Sequence, residues 1–191
     1  MFDLSTMKLF FAMLTLATNA VVVAYVVLVG TARWSQKARE LLQRFYGMVD
    51  GQELLFAAIV SGTATLGSLY LSEIANLTPC RLCWWQRYVM YPMAVVLAVA
   101  AWQRYVKVRV LIAVASLVGA AISLYHYLVQ WFPDLEGNAC SATVPCFAHW
   151  FRVFGFISIP YMALSAFAFV FVMMMALRSN QRRDVAAESG I

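Results

Sequence analysis

The chain has 191 residues, of which 63% are hydrophobic and 12% charged, far more apolar than the core of a water-soluble domain requires. A formal net charge of +5 would suit a nucleic-acid surface, yet ten of the 14 Lys and Arg residues fall in three clusters: Arg33, Lys37, Arg39 and Arg44; Arg104, Lys107 and Arg109; Arg178, Arg182 and Arg183. Cations grouped beside apolar runs report membrane orientation, so composition excludes a soluble nucleic-acid binder and points to an integral membrane protein.

A helix needs about 20 largely apolar residues to cross roughly 30 Å of hydrocarbon. Five stretches meet or approach that length: 9–29, 54–72, 83–102, 110–131 and 153–177. None alternates as barrel strands do, and backbone in lipid must satisfy its own hydrogen bonds, so five helical spans are predicted. The first run is preceded by Asp3 and a single Lys8 and has no cleavage site, which reads as a retained span rather than a signal peptide. After it, 33–46 reads RWSQKARELLQRFY. Trp34, Ala38, Leu41, Leu42 and Phe45 share one helical face, and Arg33, Lys37, Glu40 and Arg44 lie mostly on the other, as in a helix lying in the cytoplasmic interface. The second span carries Ser61 and Thr65, and the fourth carries Ala115, Gly119 and Ser123, at four-residue spacing; such small-residue stripes let helices approach closely. The positive-inside rule puts the three basic clusters in the cytoplasm, the N-terminus outside and the C-terminus inside.

Cys80 and Cys83 lie between spans two and three, and Cys140 and Cys146 between spans four and five. All four therefore face the outside. An even count on an oxidising side suggests disulfides, but four cysteines allow three pairings and spacing does not choose among them. In PCRLCWWQR, a helix starting near Pro79 puts Cys80, Cys83 and Arg87 at i, i+3 and i+7 on one face, with Cys83 and Arg87 one turn apart. The amides and dipole at that N-terminus favour a thiolate, the reactive form of cysteine. An arginine at the hydrocarbon edge costs about a few kcal/mol, so Arg87 either snorkels to the outer headgroups or donates to an oxygen of a lipophilic ligand. Glu73 and His126 occur at similar depth. Each is either a packing residue, Glu73 pairing with Arg87 or Arg81, or part of a site with the thiols. Cys140 and Cys146 bracket SATVP in a loop marked by Pro133, Asp134, Gly137 and Asn138, residues of irregular and movable chain; they form either a structural staple or a disulfide that exchanges with a soluble partner.

PCRLCWWQR followed by MYP, then LYHYLVQ, CSATVPC and FGFISIP, resembles the DsbB family of bacterial membrane thiol oxidases, closest to its short-loop BdbC-like branch, over about residues 54–177. The C-x-x-C pair precedes the loop pair, which fits that family better than the vitamin K epoxide reductases. The resemblance implies an all-α membrane protein: a four-helix catalytic bundle at 54–177, an added span and interfacial helix at 1–53, and a cytoplasmic tail at 178–191. It implies a quinone, either ubiquinone or menaquinone, as cofactor and a DsbA-like thioredoxin-fold oxidase as partner, in the bacterial cell membrane. Cys80 and Cys83 would form the quinone-coupled disulfide, with Cys83 next to the ring. Cys140 would be attacked by the partner's thiol, and Cys146 would pass electrons to Cys80. Arg87 would bind a quinone carbonyl, and His126 would lie near the quinone. Glu73 has no family counterpart, and its candidacy rests on depth alone.

Two other classes compete with a thiol oxidase. Four exterior cysteines can hold zinc or copper, and two staples can brace a structural or transport bundle in which Arg87 and His126 are incidental. A di-haem carrier is disfavoured because only His126 and His149 are present.

Overall fold

A computed structural model describes residues 4–137, 140, 144–148 and 150–188. Asn138, residues 141–143 of the SATVP segment and His149 lie outside the described residues. The chain is all-α, its described residues holding only one isolated bridge, between Val153 and Ile157. The long apolar runs become α1 (Leu4–Thr31), α3 (Glu53–Leu69), α4 (Arg81–Gln103), α5 (Arg109–Trp131) and α6 (Ile159–Glu188), and the amphipathic run becomes α2 (Gln36–Val49).

Local chemistry sets the boundaries. Ser35 caps α2 by accepting from the Ala38 amide at 3.4 Å, and Arg39 Nε donates to the Ala32 carbonyl at 2.7 Å, folding α2 back on the end of α1. Serine at that position satisfies an amide the helix cannot. The α3 helix runs on as a π turn, Tyr70–Ile74, and stops before Asn76 at φ 53°. The α4 helix begins after Cys80, its N-cap, close to Pro79, where the sequence reading expects the start. It ends where Arg104 turns left-handed at φ 52°. The fifth span also starts later than 153, because Phe154 (φ 52°) and Gly155 (φ 80°) form a turn closed by the Val153 and Ile157 backbone pair at 2.9 and 3.0 Å.

Among the described residues four helices pass on length and hydropathy as membrane spans: Ser5–Thr31, Glu53–Ile74, Val106–Trp131 and Ile159–Arg183. The α4 helix falls short because Gln86, Arg87 and its tyrosines dilute the apolar run. With 23 residues, about 35 Å at the α-helical rise, it still matches the bilayer, and it packs between α3 and α5. The helices α3 to α6 form the core, α1 lies along α6, and α2 packs under α1 and α6. Tyr46, Val49 and Ala38 face the bundle, whereas Trp34 and Leu41 are exposed. The expected apolar face of α2 is thus divided between bundle and surroundings.

Leu97, Ile112, Phe167, Val170, Met173 and Met174 fill the centre. The small-residue stripe on α5 is a close-packing seam: Gly119 and Ser123 are buried and Ala115 partly so, and a Cβ at Gly119 would collide with the Phe167 ring. At one end, the buried Asn180 Nδ2 donates to Glu53 Oε1 at 2.7 Å and to the Tyr46 carbonyl at 3.2 Å, and Arg109 donates to Gln181. These bonds tie α2, α3, α5 and α6 where the three basic clusters gather. The cysteines occupy the opposite end.

Glycine to alanine in a helix normally gains about 0.5–1 kcal/mol. Gly62, which has open space around it, should follow that rule. Gly119→Ala should instead lower stability by about 1–3 kcal/mol through overpacking, and thermal unfolding in detergent should show the two shifts with opposite signs.

Candidate active site

The site is built where α4 begins. Cys80 takes the N-cap position with extended backbone (φ −73°, ψ 173°), and Cys83 lies in the first turn. Their sulfurs are 3.1 Å apart and unbonded. A disulfide there needs about 1 Å of closure. Cys80 is 7% exposed, and its sulfur is 3.5 Å from Nε2 of His126 on α5. The other ring nitrogen of His126, Nδ1, is 3.3 Å from Nε2 of Gln86. An amide nitrogen only donates, so in this arrangement Nδ1 accepts, the proton sits on Nε2, and Nε2–H donates to the Cys80 sulfur. The hydrogen bond with Cys83, and after it His126, hold the Cys80 thiol well below the usual thiol range against the opposing effect of burial. In the reduced pair the anion therefore belongs on Cys80. The sequence reading places Arg87 one turn from Cys83, and the geometry gives Cys80 a close partner of its own in His126.

The second pair is a disulfide, Cys140–Cys146, with Cα atoms 5.9 Å apart. Cys146 is fully buried and packs in one cluster with Cys80, Leu82 and Val129, against which Cys83, Cys140 and Val144 lie. The described parts of the loop are anchored: Glu136 accepts from the Cys146 amide at 2.6 Å, Tyr125 donates to the Leu135 carbonyl at 2.8 Å, and Arg152 donates to the Gln130 carbonyl at 3.0 Å while lying 4.4 Å over the Trp131 ring.

Two cavities meet at the helix pair. The outer one, about 240 Å³, lies under the loop between Cys80, His126, Gln130, Val144 and Phe151. The inner one, about 220 Å³, is a mostly apolar chamber among α1, α3, α4 and α6 that presents Arg87, Gln86 and Tyr91. Cys83, with Thr78, Trp150 and Ile159, lines both. Arg87 does not reach for an acidic partner. Its Nε donates to Ser68 Oγ at 3.0 Å and its Nη2 to the Ser68 carbonyl at 3.1 Å, and the guanidinium lies 5.2 Å from the Trp84 ring centre. Tyr91 donates to the same Ser68 hydroxyl at 3.3 Å.

The structure thus brings Cys80, Cys83, Arg87 and His126 together under Cys140 and Cys146. It does not bring Glu73, which is exposed in the π turn, accepts from Ser72 Oγ at 3.1 Å and lines neither cavity. Gln86 and Ser68 are additions. Gln86 had a signal, since it falls three residues after Cys83 on an apolar helix, but Ser68 looked like one more small packing residue. Sulfurs of Cys80 and Cys83 and a nitrogen of His126 lie within 4.8 Å of one another, a spacing that a metal ion can also use. The bonded loop pair, however, withdraws the other two cysteines from a four-thiolate set.

An all-helical membrane bundle with a dithiol capping one helix and a disulfide seated on it defines a membrane thiol–disulfide oxidoreductase. The family model described as Disulfide bond formation protein DsbB matches residues 52–178, and the chain belongs to that family. It is 40% identical to Disulfide bond formation protein C of Bacillus subtilis over 124 residues, 64% of this chain and 90% of that protein. Over 132 residues it is 40% identical to the Probable disulfide formation protein of Oceanobacillus iheyensis, covering 68% of this chain and 91% of that protein. The Probable disulfide formation protein C of Halalkalibacterium halodurans is 43% identical over 111 residues, 58% of this chain and 81% of that protein. No solved structure matches the chain at a comparable level of significance.

Because the Cys80 thiol is held low, alkylation of Cys80 in the reduced protein should change little between about pH 6 and 8, whereas an ordinary thiol, with a pKa near 8.5, gains reactivity steeply over that range. His126→Leu should move the onset of Cys80 reactivity to higher pH by removing the second of the two donors to the thiolate, with the Cys83 hydrogen bond left in place. Mass-resolved alkylation rates against pH check both outcomes.

Proposed function

We propose that this protein reoxidises a DsbA-like, thioredoxin-fold partner outside the cytoplasm and passes the electrons to a membrane quinone, sustaining disulfide formation in exported proteins. The observation that carries the reading is that Cys83 lines both cavities, one under the loop disulfide and one apolar with an arginine in its wall. The positive-inside rule supports the orientation, with the basic end in the cytoplasm, the N-terminus outside and all four cysteines at the outer face of a bacterial cell membrane. Residues 54–177 are proposed as the catalytic bundle, 1–53 as an added segment and 178–191 as the cytoplasmic tail, which begins as a continuation of α6.

The partner's thiolate attacks Cys140, breaking the Cys140–Cys146 bond and forming a mixed disulfide. The partner's second thiol then resolves it, leaving the partner oxidised and the loop pair reduced. Cys146, packed against Cys80, attacks the oxidised Cys80–Cys83 pair at Cys80. Cys140 resolves that bond, the loop disulfide reforms, and two electrons rest on the α4 pair, with one proton on Cys83 and Cys80 left as the thiolate. Cys80 holds the anion through His126, and Gln86 keeps the imidazole in the donating tautomer.

The inner chamber suits a quinone headgroup: its walls are mostly apolar, Cys83 is at one wall, and the Arg87 guanidinium, fixed on Ser68, can donate to a carbonyl oxygen. Bound there, a quinone supplies a membrane-soluble acceptor for two electrons and two protons. Arg87 favours negative charge at the oxygen it donates to, as preorganised charge-assisted donors do. No role is proposed for Glu73.

Cys80→Ser and Cys83→Ser should abolish quinone-dependent oxidation of a reduced thioredoxin-fold substrate. Cys146→Ala should accumulate a mixed disulfide through Cys140, visible on non-reducing gels, and its absence would remove the assigned order of the loop pair. Arg87→Ala should raise the half-saturating quinone concentration by about tenfold or more, as expected for losing a hydrogen bond from a charged donor. If the Cys80, Cys83 and His126 trio instead holds a resident metal, a chelator without reductant will expose thiols that the oxidase reading says only a reductant can expose.

A further inference from the structure

The added helix α1 carries neither cysteine nor histidine, yet it is one wall of the inner chamber. Phe11, Leu14, Thr15 and Thr18 line that cavity together with Arg87 and Cys83 of α4. The bundle-facing stripe of α1 is narrow: Ala12 is fully buried and Thr15 is 6% exposed, while Leu9, Met13, Val23 and Val26 are exposed. Both threonine hydroxyls are satisfied within the helix, Thr15 on the Phe11 carbonyl at 2.8 Å and Thr18 on the Thr15 carbonyl at 2.9 Å. They therefore present methyl groups and satisfied oxygens to the chamber at no hydrogen-bonding cost.

The walls of the chamber are not equally tight. The helices α3 and α4, α3 and α6, and α6 and α1 pack along one another, whereas α1 shares little contact with α3 or α4. Asn19 Nδ2 donates to the Tyr161 hydroxyl at 2.9 Å, fixing α1 to α6. On the α3 side the Phe11 ring sits on Gly67, where an added Cβ would lie 2.8 Å from two ring carbons. Only a glycine leaves that seat free. A cavity of about 220 Å³ takes a quinone ring but not its polyprenyl tail, and the lightly packed α1–α3 seam is a path from the chamber to lipid. The Bacillus subtilis relative has 90% of its length in the matched 124 residues, so the remaining tenth is too short to supply both α1 and α2.

On the reading given under the proposed function, we propose that α1 closes the lipid side of the quinone chamber. Phe11 seated on Gly67 is the latch of a lateral portal between α1 and α3. The latch retains the quinone headgroup while its tail leaves along the seam. In the α3 to α6 core alone this side of the chamber has no wall, so α1 adds retention and control of exchange rather than a catalytic group.

The test uses the full chain in detergent, with quinone measured by solvent extraction after purification and by tryptophan quenching on titration with a polyprenyl benzoquinone and with menaquinone. Phe11→Ala should lower retained quinone severalfold and raise the dissociation constant of the preferred quinone by about tenfold, the scale of a lost apolar contact in a pocket. Gly67→Ala, which keeps the phenyl group but fills its seat, should act in the same direction. Leu9→Ala, on the exposed face of α1, should change neither. Phe11 and Gly67 variants that bind and retain quinone like the unaltered protein, while Arg87→Ala weakens binding, would overturn the latch and leave the functional reading standing. An unaltered protein that binds neither quinone would overturn both.

Discussion

A soluble dithiol and a lipid-soluble acceptor never share a phase, so any protein that couples them must hold one sulfur where both sides can reach it. On the proposed function that constraint falls on the first turn of α4. Cys80 at the N-cap faces His126 and the loop disulfide, while Cys83, one turn in, touches the outer cavity and the apolar chamber. A helix N-terminus suits the task, because its unpaired amides favour a thiolate and its side chains spread around the axis toward different neighbours. The remaining structure keeps that turn in place: α3 fixes Arg87 through Ser68, α5 supplies His126, and the loop seats its disulfide from above.

The polar groups around the turn are held by neutral partners rather than ion pairs. Ser68 takes two donors from Arg87, and Gln86 spans from the chamber to His126. A carboxylate in place of Ser68 would bind the guanidinium more strongly and compete with a ligand oxygen for it. Neutral anchoring fixes the arginine while leaving its charge available. The same economy recurs at the basic end, where Asn180 bridges Glu53 and the Tyr46 carbonyl and locks α2 beneath α3 and α6.

Much of this was legible from residues alone. Spans of about 20 apolar residues announce themselves, and the spacing of the C-x-x-C and the arginine after it places them together at the start of one of them. Boundaries were less legible: Pro79 invites a helix start, but Cys80 caps, and the last span waits for the turn at Phe154 and Gly155. The azimuth of a residue was not legible at all. Glu73 has the right depth but sits in a π turn that leaves it exposed, whereas Ser68 reads as ordinary and Gln86 as a polar residue without a named partner, and they prove to be the partners of Arg87 and His126. The wall formed by α1 was invisible for the same reason, since nothing in Phe11 says that its ring will rest on Gly67.

On the proposed function, electrons enter the protein at the pair in the loop and leave it from the pair on α4. The direct measurement is an anaerobic single turnover of the fully reduced protein with one equivalent of quinone, quenched by alkylation at successive times and resolved by mass. The account predicts that Cys80 and Cys83 lose their labels first, and that oxidation then moves to Cys140 and Cys146 while the α4 pair becomes labelled again. Oxidation that begins at the loop pair, or that leaves all four cysteines reduced, would contradict it.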